Sequence, residues 1–191
     1  QLAVKNGINV LQPEKMNDAA FLNELSSIKP ELIVVVAYGK ILTEEILRLP
    51  ALGCINVHAS LLPKYRGAAP IAWAIINGDK KTGITTMLMD KGLDTGDILL
   101  QEELEISDED TTETLSGKLS ELGASLLLKT ISRIKDGSLK PQKQSGEAAY
   151  APIIKKEDGL VNWSKTAEEL SNFVRGMHPW PGAYCYLNGE M

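Results

Sequence analysis

Asn56 and His58 stand two positions apart in the apolar run "GCINVHA" (Gly53–Ala59), and Asp94 follows within "MDKGLDTGDIL" (Met89–Leu99). On an extended chain, residues i and i+2 leave the same face, so this spacing sets an amide beside an imidazole. Such a pair suits chemistry at a carbonyl carbon: the amide donates to a developing oxyanion, and the imidazole moves a proton near neutral pH. A carboxylate reaching the ring from Asp94 would orient it, as base–orienter pairs require. Plainer readings stay open. A histidine in an apolar strand is often a hydrogen-bonded core group, and two polar residues at a strand end can satisfy each other. Three aspartates and two glycines in one short stretch can also be turn chemistry, which is the reading for Asp90 and Asp97.

The elements that must position these groups follow from hydrophobic period and end signals. "AAFLNELSSI" (Ala19–Ile28) has helical spacing, stopped at Pro30. "ELIVVVAYG" reads as a strand buried on both faces, ending at Gly39. Thr43 is an N-cap candidate for "EEILRL", with Glu44 and Glu45 favourable in the first turn. "GCINVHA" is the next strand, and "APIAWAIING" is a helix starting near Pro70 and stopped by Gly78. "TGITTMLMD" and "DILLQEELEI" form a strand pair around the turn "KGLDTG". Leu115, Leu119, Leu122, Leu126 and Leu127 mark a long amphipathic helix, with Gly137 just past its end. "SLKPQKQSGEAAY" reads as a linker or loop, followed by a strand "GLVNW", a helix "TAEELSNFVRGM" and "HPWPGAYCYLNGE". The alternation predicts an α/β fold with an open, mostly parallel, Rossmann-like sheet and flanking helices. Ligands of such sheets bind beyond the carboxyl ends of the strands, where Tyr38-Gly39 and Asn56–His58 fall. His58 is thus expected at the rim of the sheet, facing a cleft.

Other chemistries find no support. His58 and His178 have no Cys or Glu at ligand spacing, so no metal is expected. Glycine-rich dinucleotide and Walker loops are missing, as is a G-x-S-x-G elbow. The longest apolar run is "LIVVVA". A membrane helix needs roughly 20 residues, far more than that run supplies. With 43% hydrophobic and 24% charged residues, the 191-residue chain has the balance of a soluble, cytoplasmic domain. The two cysteines are too few for a disulfide framework, and Cys54 reads as a small core residue. A net charge of −5 does not advertise nucleic-acid binding. The turn Lys64-Tyr65-Arg66 is a small basic patch, either a solvated loop or a contact for phosphate; His178, before a proline, reads as structural. The chain opens at Gln1 and closes on "YLNGEM", a turn that looks cut in mid-strand, so a piece of a longer protein is expected.

Taken together, "INVHASLLPKYRGAAPIAWAIINGD" and "TGITTMLMDKGLDTGDIL" closely resemble the formyltransferases that use 10-formyltetrahydrofolate. The signature is Asn-x-His (Asn56, His58), then Ser60-Leu61-Leu62-Pro63, then Asp94 within Gly92-Leu93-Asp94-Thr95-Gly96. "VVVAYGKIL", "RGAAPI", "DGLVNWSKTAEEL" and "RGMHPWPGAY" resemble the branch that formylates methionyl initiator tRNA. That likeness implies a catalytic domain over 1–137 lacking its first part, a linker with strand–helix extension over 138–178, and the start of a C-terminal β-barrel over 179–191. It implies 10-formyltetrahydrofolate as donor, initiator methionyl-tRNA as partner, no metal, no membrane, and a monomer. Asn56 and His58 would stabilise the tetrahedral oxyanion, His58 would carry the proton, and Asp94 would hold His58. The folate would lie against Tyr38, Gly39, Lys40 and Leu42, the Ser60–Pro63 turn, and Asp90, with Arg66 on the tRNA side. Alternatives remain: a relative passing formyl to water, to a nucleotide amine or to a sugar amine, or a non-catalytic folate-binding domain.

Overall fold

Residues 1–188 are described by the structure, a computed structural model. In chain order the elements are α1 (Leu2–Lys5), α2 (Ala19–Ile28), β1 (Ile33–Val36), α3 (Glu44–Arg48), β2 (Cys54–His58), β3 (Arg66–Gly67), α4 (Pro70–Ile76), β4 (Lys81–Leu88), β5 (Ile98–Glu105), α5 (Thr112–Lys135), β6 (Tyr150–Ala151), a 3-10 turn (Lys156–Gly159) and α6 (Ala167–Gly176). One sheet has the order β1-β2-β4-β5, and β3 pairs with β6 apart from it.

The α/β class holds, but the sheet is mixed. β1 and β2 run parallel with Val36 opposite Val57, while β4 is antiparallel to β2, His58 opposite Thr85, and to β5. The expectation of a mostly parallel sheet gives way in this half. The short loop 89–97 joins β4 to β5, and a connection that short permits only an antiparallel return. β1 also differs from the doubly buried strand expected. Ile33 and Val35 pack on the cluster of Leu42, Ile46 and Cys54, while Val34 and Val36 are 38% and 58% exposed. The alternating strand therefore has one open face among the described residues.

Helix ends follow the capping signals. The Asp18 carboxylate accepts from the Phe21 N–H, and Lys29 closes α2 in a left-handed conformation before Pro30. Thr43 caps α3, and Pro70 opens α4. The Thr111 hydroxyl accepts from the Thr114 N–H while the Thr114 hydroxyl accepts from the Thr111 N–H, a capping box for α5. Leu115, Leu119 and Leu126 of α5 then pack under the sheet with Ile84, and a Cβ at Gly123 would stand 3.3 Å from Val57. α5 thus occupies the face opposite to Asn56 and His58, since Val57 alternates with them.

The segment 138–149, expected as a linker or loop, is a strap held against the start of β5. Gln142 exchanges two 2.8 Å backbone hydrogen bonds with Ile98, and β6 then pairs parallel with β3. Of the expected strand "GLVNW", Gly159 ends the 3-10 turn, in which the Asp158 carboxylate accepts from the Lys155 N–H, and Leu160 forms only an isolated parallel bridge with Tyr184. The end of the expected barrel strand, residues 189–191, lies outside the described residues. Among the described residues no helix is long and apolar enough to cross a membrane.

Asp110, buried just before α5, accepts from Lys118 (2.8 and 2.9 Å), the Ser107 N–H and the Thr114 hydroxyl. Burial by itself pushes its carboxyl up, but Lys118 and the two hydrogen bonds outweigh burial and hold it below the usual range. A depressed folded pKa gives stability that is present above the unfolded value of about 3.9 and is lost as pH falls through the folded one. Asp110→Asn is therefore expected to lower the thermal midpoint at pH 7 and to flatten its fall below about pH 4. Parallel curves for the two proteins down to strongly acid pH would contradict this.

Candidate functional site

β2 delivers Asn56 and His58 to the sheet face opposite α5, and loop 89–97 folds back to bring Asp94 over them. Asp94 takes a left-handed backbone, with φ 52°, which aspartate tolerates better than most residues. The chain can fold so tightly there because Gly96 presses on β4. A Cβ at Gly96 would lie 1.6 Å from the Leu88 carbonyl oxygen, so only glycine fits so close an approach.

The Asp94 side chain is only 12% exposed. Its Oδ1 accepts from Asn56 Nδ2 at 3.3 Å, and its Oδ2 accepts from the Gly67 N–H at 2.8 Å. Oδ2 also faces His58 Nδ1 at 3.7 Å, an ion-pair distance slightly long for a hydrogen bond. Gly67 reaches Asp94 from β3 with φ 116°, a conformation open to glycine. A Cβ there would come within 2.7 Å of the Ala151 carbonyl oxygen of β6. Pairing of β3 with β6 thereby aims the donor at the carboxylate.

His58 itself is buried, not facing an open cleft. Its Nε2 lies 2.9 Å from the Tyr65 carbonyl, and because a carbonyl only accepts, Nε2 carries the hydrogen. Tyr65 can present that carbonyl because its own backbone is left-handed, with φ 60°, an uncommon state for a bulky residue. The Tyr65 ring is anchored: its hydroxyl donates to Asp79 at 2.9 Å and accepts from Asn77 at 3.1 Å. Burial first, then Asp79, pushes the Tyr65 phenol up to about 12, so it stays a donor at neutral pH.

Arg66, expected on the tRNA side, donates from Nε and Nη2 to Gln144 Oε1 at 3.1 and 2.6 Å. The expected folate residues divide. Leu42 is buried in the cluster that Met89 joins, and Lys91 pairs with Glu44 at 2.8 Å, so the loop before α3 adjoins the Asp90 loop. Asp90 is exposed and accepts from the Gly92 N–H and the Thr95 hydroxyl, closing its own turn. Tyr38 and Lys40 are exposed and hydrogen-bond to Met16 and Glu14, and Gly39 between them is left-handed. The Ser60–Pro63 turn is held by Thr85 of β4 and Gln101 of β5. Ser60 is fully buried with its hydroxyl donating to the Lys64 carbonyl, and Thr85 and Gln101 hold the Ser60 and Leu62 carbonyls. Leu62 is buried, and Leu61 packs on Gly83, with Pro63 joined to Leu62 by a cis peptide.

Three groups escaped the sequence reading: the Gly67 N–H, the Tyr65 carbonyl and the Gln144 amide. Tyr65, within the basic turn after the histidine, and Gly67, directly after it, stood in a stretch the sequence marked; Gln144 carried no signal. Two cavities, about 390 and 200 Å³, open around Lys80 and Asp108, and none of the predicted residues lines them. Cys54 is buried, and its thiol is pushed up to about 11 by burial, as befits a core residue. Among the described residues no group of three or more His, Cys, Asp or Glu is placed to hold a metal ion.

The chain is 56% identical over 190 residues to the methionyl-tRNA formyltransferase of Thermodesulfovibrio yellowstonii, which matches 100% of this chain and 62% of the relative. Identity to the methionyl-tRNA formyltransferase of Caldanaerobacter subterraneus subsp. tengcongensis is 58% over 193 residues, with the same coverage. The chain thus spans about three fifths of the length of these curated relatives. In fold it is similar to a sugar N-formyltransferase from a Shewanella species (TM-score 0.82, 22% identity, 100% of this chain and 76% of that one). It is likewise similar to HypX from Aquifex aeolicus in complex with tetrahydrofolic acid (TM-score 0.75, 19% identity, 91% of this chain and 30% of that one). The formyl transferase pattern matches residues 2–131, and that of the formyl transferase C-terminal domain matches residues 153–191. On these matches the chain belongs to the formyl transferase family.

Proposed function

We propose that the whole protein transfers the formyl group of 10-formyltetrahydrofolate to the α-amino group of methionine on initiator tRNA, in the cytoplasm. The observation that carries this reading is the joining of Asn56, His58 and Asp94 around one carboxylate. It occurs in a chain 56% and 58% identical to two relatives named methionyl-tRNA formyltransferase.

In the proposed reaction the methionine nitrogen attacks the formyl carbon, a new C–N bond forms, and the carbonyl oxygen becomes an oxyanion. Asn56 commits one N–H to Asp94, which leaves the second for that oxygen. One such donor contributes roughly 3 kcal/mol. The C–N10 bond then breaks, the attacking nitrogen loses one proton, and the departing N10 gains one. His58 passes its Nε2 hydrogen to the departing N10 and takes the attacking nitrogen's proton in its place, once the ring exchanges the Tyr65 carbonyl for the substrate. Asp94, gripped by Gly67 and Asn56, holds the ring from the Nδ1 side. Transfer of this kind contributes about 10²–10⁴-fold, and holding donor and acceptor together contributes much of the rest. The donor is proposed to lie against the Tyr38–Leu42 loop, the Ser60–Pro63 turn and the Asp90 loop.

An acceptor assay on the full-length protein tests the reading. Tetrahydrofolate release from 10-formyltetrahydrofolate should depend on charged initiator methionyl-tRNA. Release into water alone, or only with a sugar or nucleotide amine, would refute it.

His58→Ala and Asp94→Ala should each lower kcat by about 10²–10⁴-fold with the donor Kd changed little. Near-normal turnover in either variant would show that the assigned proton path is wrong.

A further inference from the structure

We propose that Gln144 is a positioning residue for Asp94, acting from the strap across the site; this role rests on the formyl-transfer reading above. The Gln144 side chain makes four hydrogen bonds. Its Nε2 donates to the carbonyls of Asp94 and Gly96, both at 2.8 Å. Its Oε1 accepts both the Nε and Nη2 hydrogens of Arg66. Two donors and two lone pairs are the full capacity of a primary amide, so nothing on this group is left for a ligand.

The bonds close a ring through the site. From the Asp94 carbonyl the path runs through Gln144 to Arg66, along one peptide to Gly67, and from the Gly67 N–H back to the Asp94 carboxylate. Asp94 is thereby held at both ends, backbone and side chain. Its backbone meanwhile sits in a left-handed conformation that a free loop would leave. Lys143, the neighbouring residue of the strap, pairs with Asp97 at 2.9 Å, and Gln142 is bonded to Ile98. Three consecutive residues of the strap therefore hold the loop that carries Asp94. Gln144 is fifty residues from Asp94 in sequence and touches neither His58 nor Asn56 in any hydrogen bond. Its influence on the reaction runs through where Asp94 stands.

The test is a double-substitution cycle in the full-length enzyme, with kcat, the donor KM and the thermal midpoint measured for each protein. Gln144→Met keeps the length and loses all four hydrogen bonds. It should lower kcat about 10–100-fold with the donor KM within about threefold, the signature of an interaction lost in the transition state. In an Asp94→Ala background the same substitution should cost less than about twofold, because groups acting as a unit are not additive. Gln144→Glu keeps the acceptors for Arg66 but sets an oxygen against two carbonyls; the same losses are expected, and it decides the matter should the Met variant not fold. Near-normal kcat in a folded variant, or an equal loss with and without Asp94, would overturn the role of Gln144 alone. An active Asp94→Ala enzyme would overturn the underlying reading and the role with it.

Discussion

A carboxylate withdrawn from water needs partners, and the arrangement of this site follows from that need at Asp94. Leaving such a charge unpaired costs roughly several kcal/mol, whereas each hydrogen bond to a charged group returns about 1.5–3 kcal/mol. Asp94 meets the requirement with the Gly67 N–H and the Asn56 amide, and with the imidazole of His58 beside it. Each partner makes its own demand on the fold. Asn56 and His58 must share a strand face, Gly67 must be pinned by a strand on its far side, and loop 89–97 must turn back on itself. The register of β2 against β4, the β3–β6 pair and the close approach of Gly96 to Leu88 are the structural answers.

In the proposed reaction, rigidity around this carboxylate has a mechanistic use. Interactions that accelerate a reaction are those prepared in advance for charge that appears only in the transition state. Two non-glycine residues of the site, Tyr65 and Asp94, hold left-handed backbones, and such conformations persist only where the surroundings over-determine them. Here the surroundings are the Tyr65 hydroxyl anchored to Asp79 and Asn77, the strap over Asp94, and the buried turn at Ser60. The motif Ser-Leu-Leu-Pro, which the family likeness assigns to folate, is in this chain largely internal. Its Ser60 hydroxyl donates to the Lys64 carbonyl, and the Leu62 side chain is buried.

Local physics was legible in the sequence. The two-residue spacing put Asn56 and His58 on one face, and the hydroxyl of Thr43 marked the start of α3, as the same residue type does at Thr111 and Thr166. What sequence did not reveal depends on contacts between distant segments. Whether β4 runs with or against β2 is a matter of how its connection is routed, and apolar runs look alike either way. The polar strap resembles a linker in composition, because its function is carried by backbone pairing with Ile98 and by one amide rather than by an apolar stripe. The buried state of His58 stood in the sequence only as the plainer alternative, because its partner is a main-chain carbonyl, invisible in residue type.

The account stands on His58 and Asp94 acting as one unit, and a double-substitution cycle between them addresses that directly. Single-turnover formyl transfer would be measured for the full-length enzyme, for His58→Ala, for Asp94→Ala and for the pair. If Asp94 serves only to hold the imidazole, the double variant should be no slower than His58→Ala, within about twofold. A double variant slowed by the product of the two single losses would mean that the two residues act independently and would contradict the central claim.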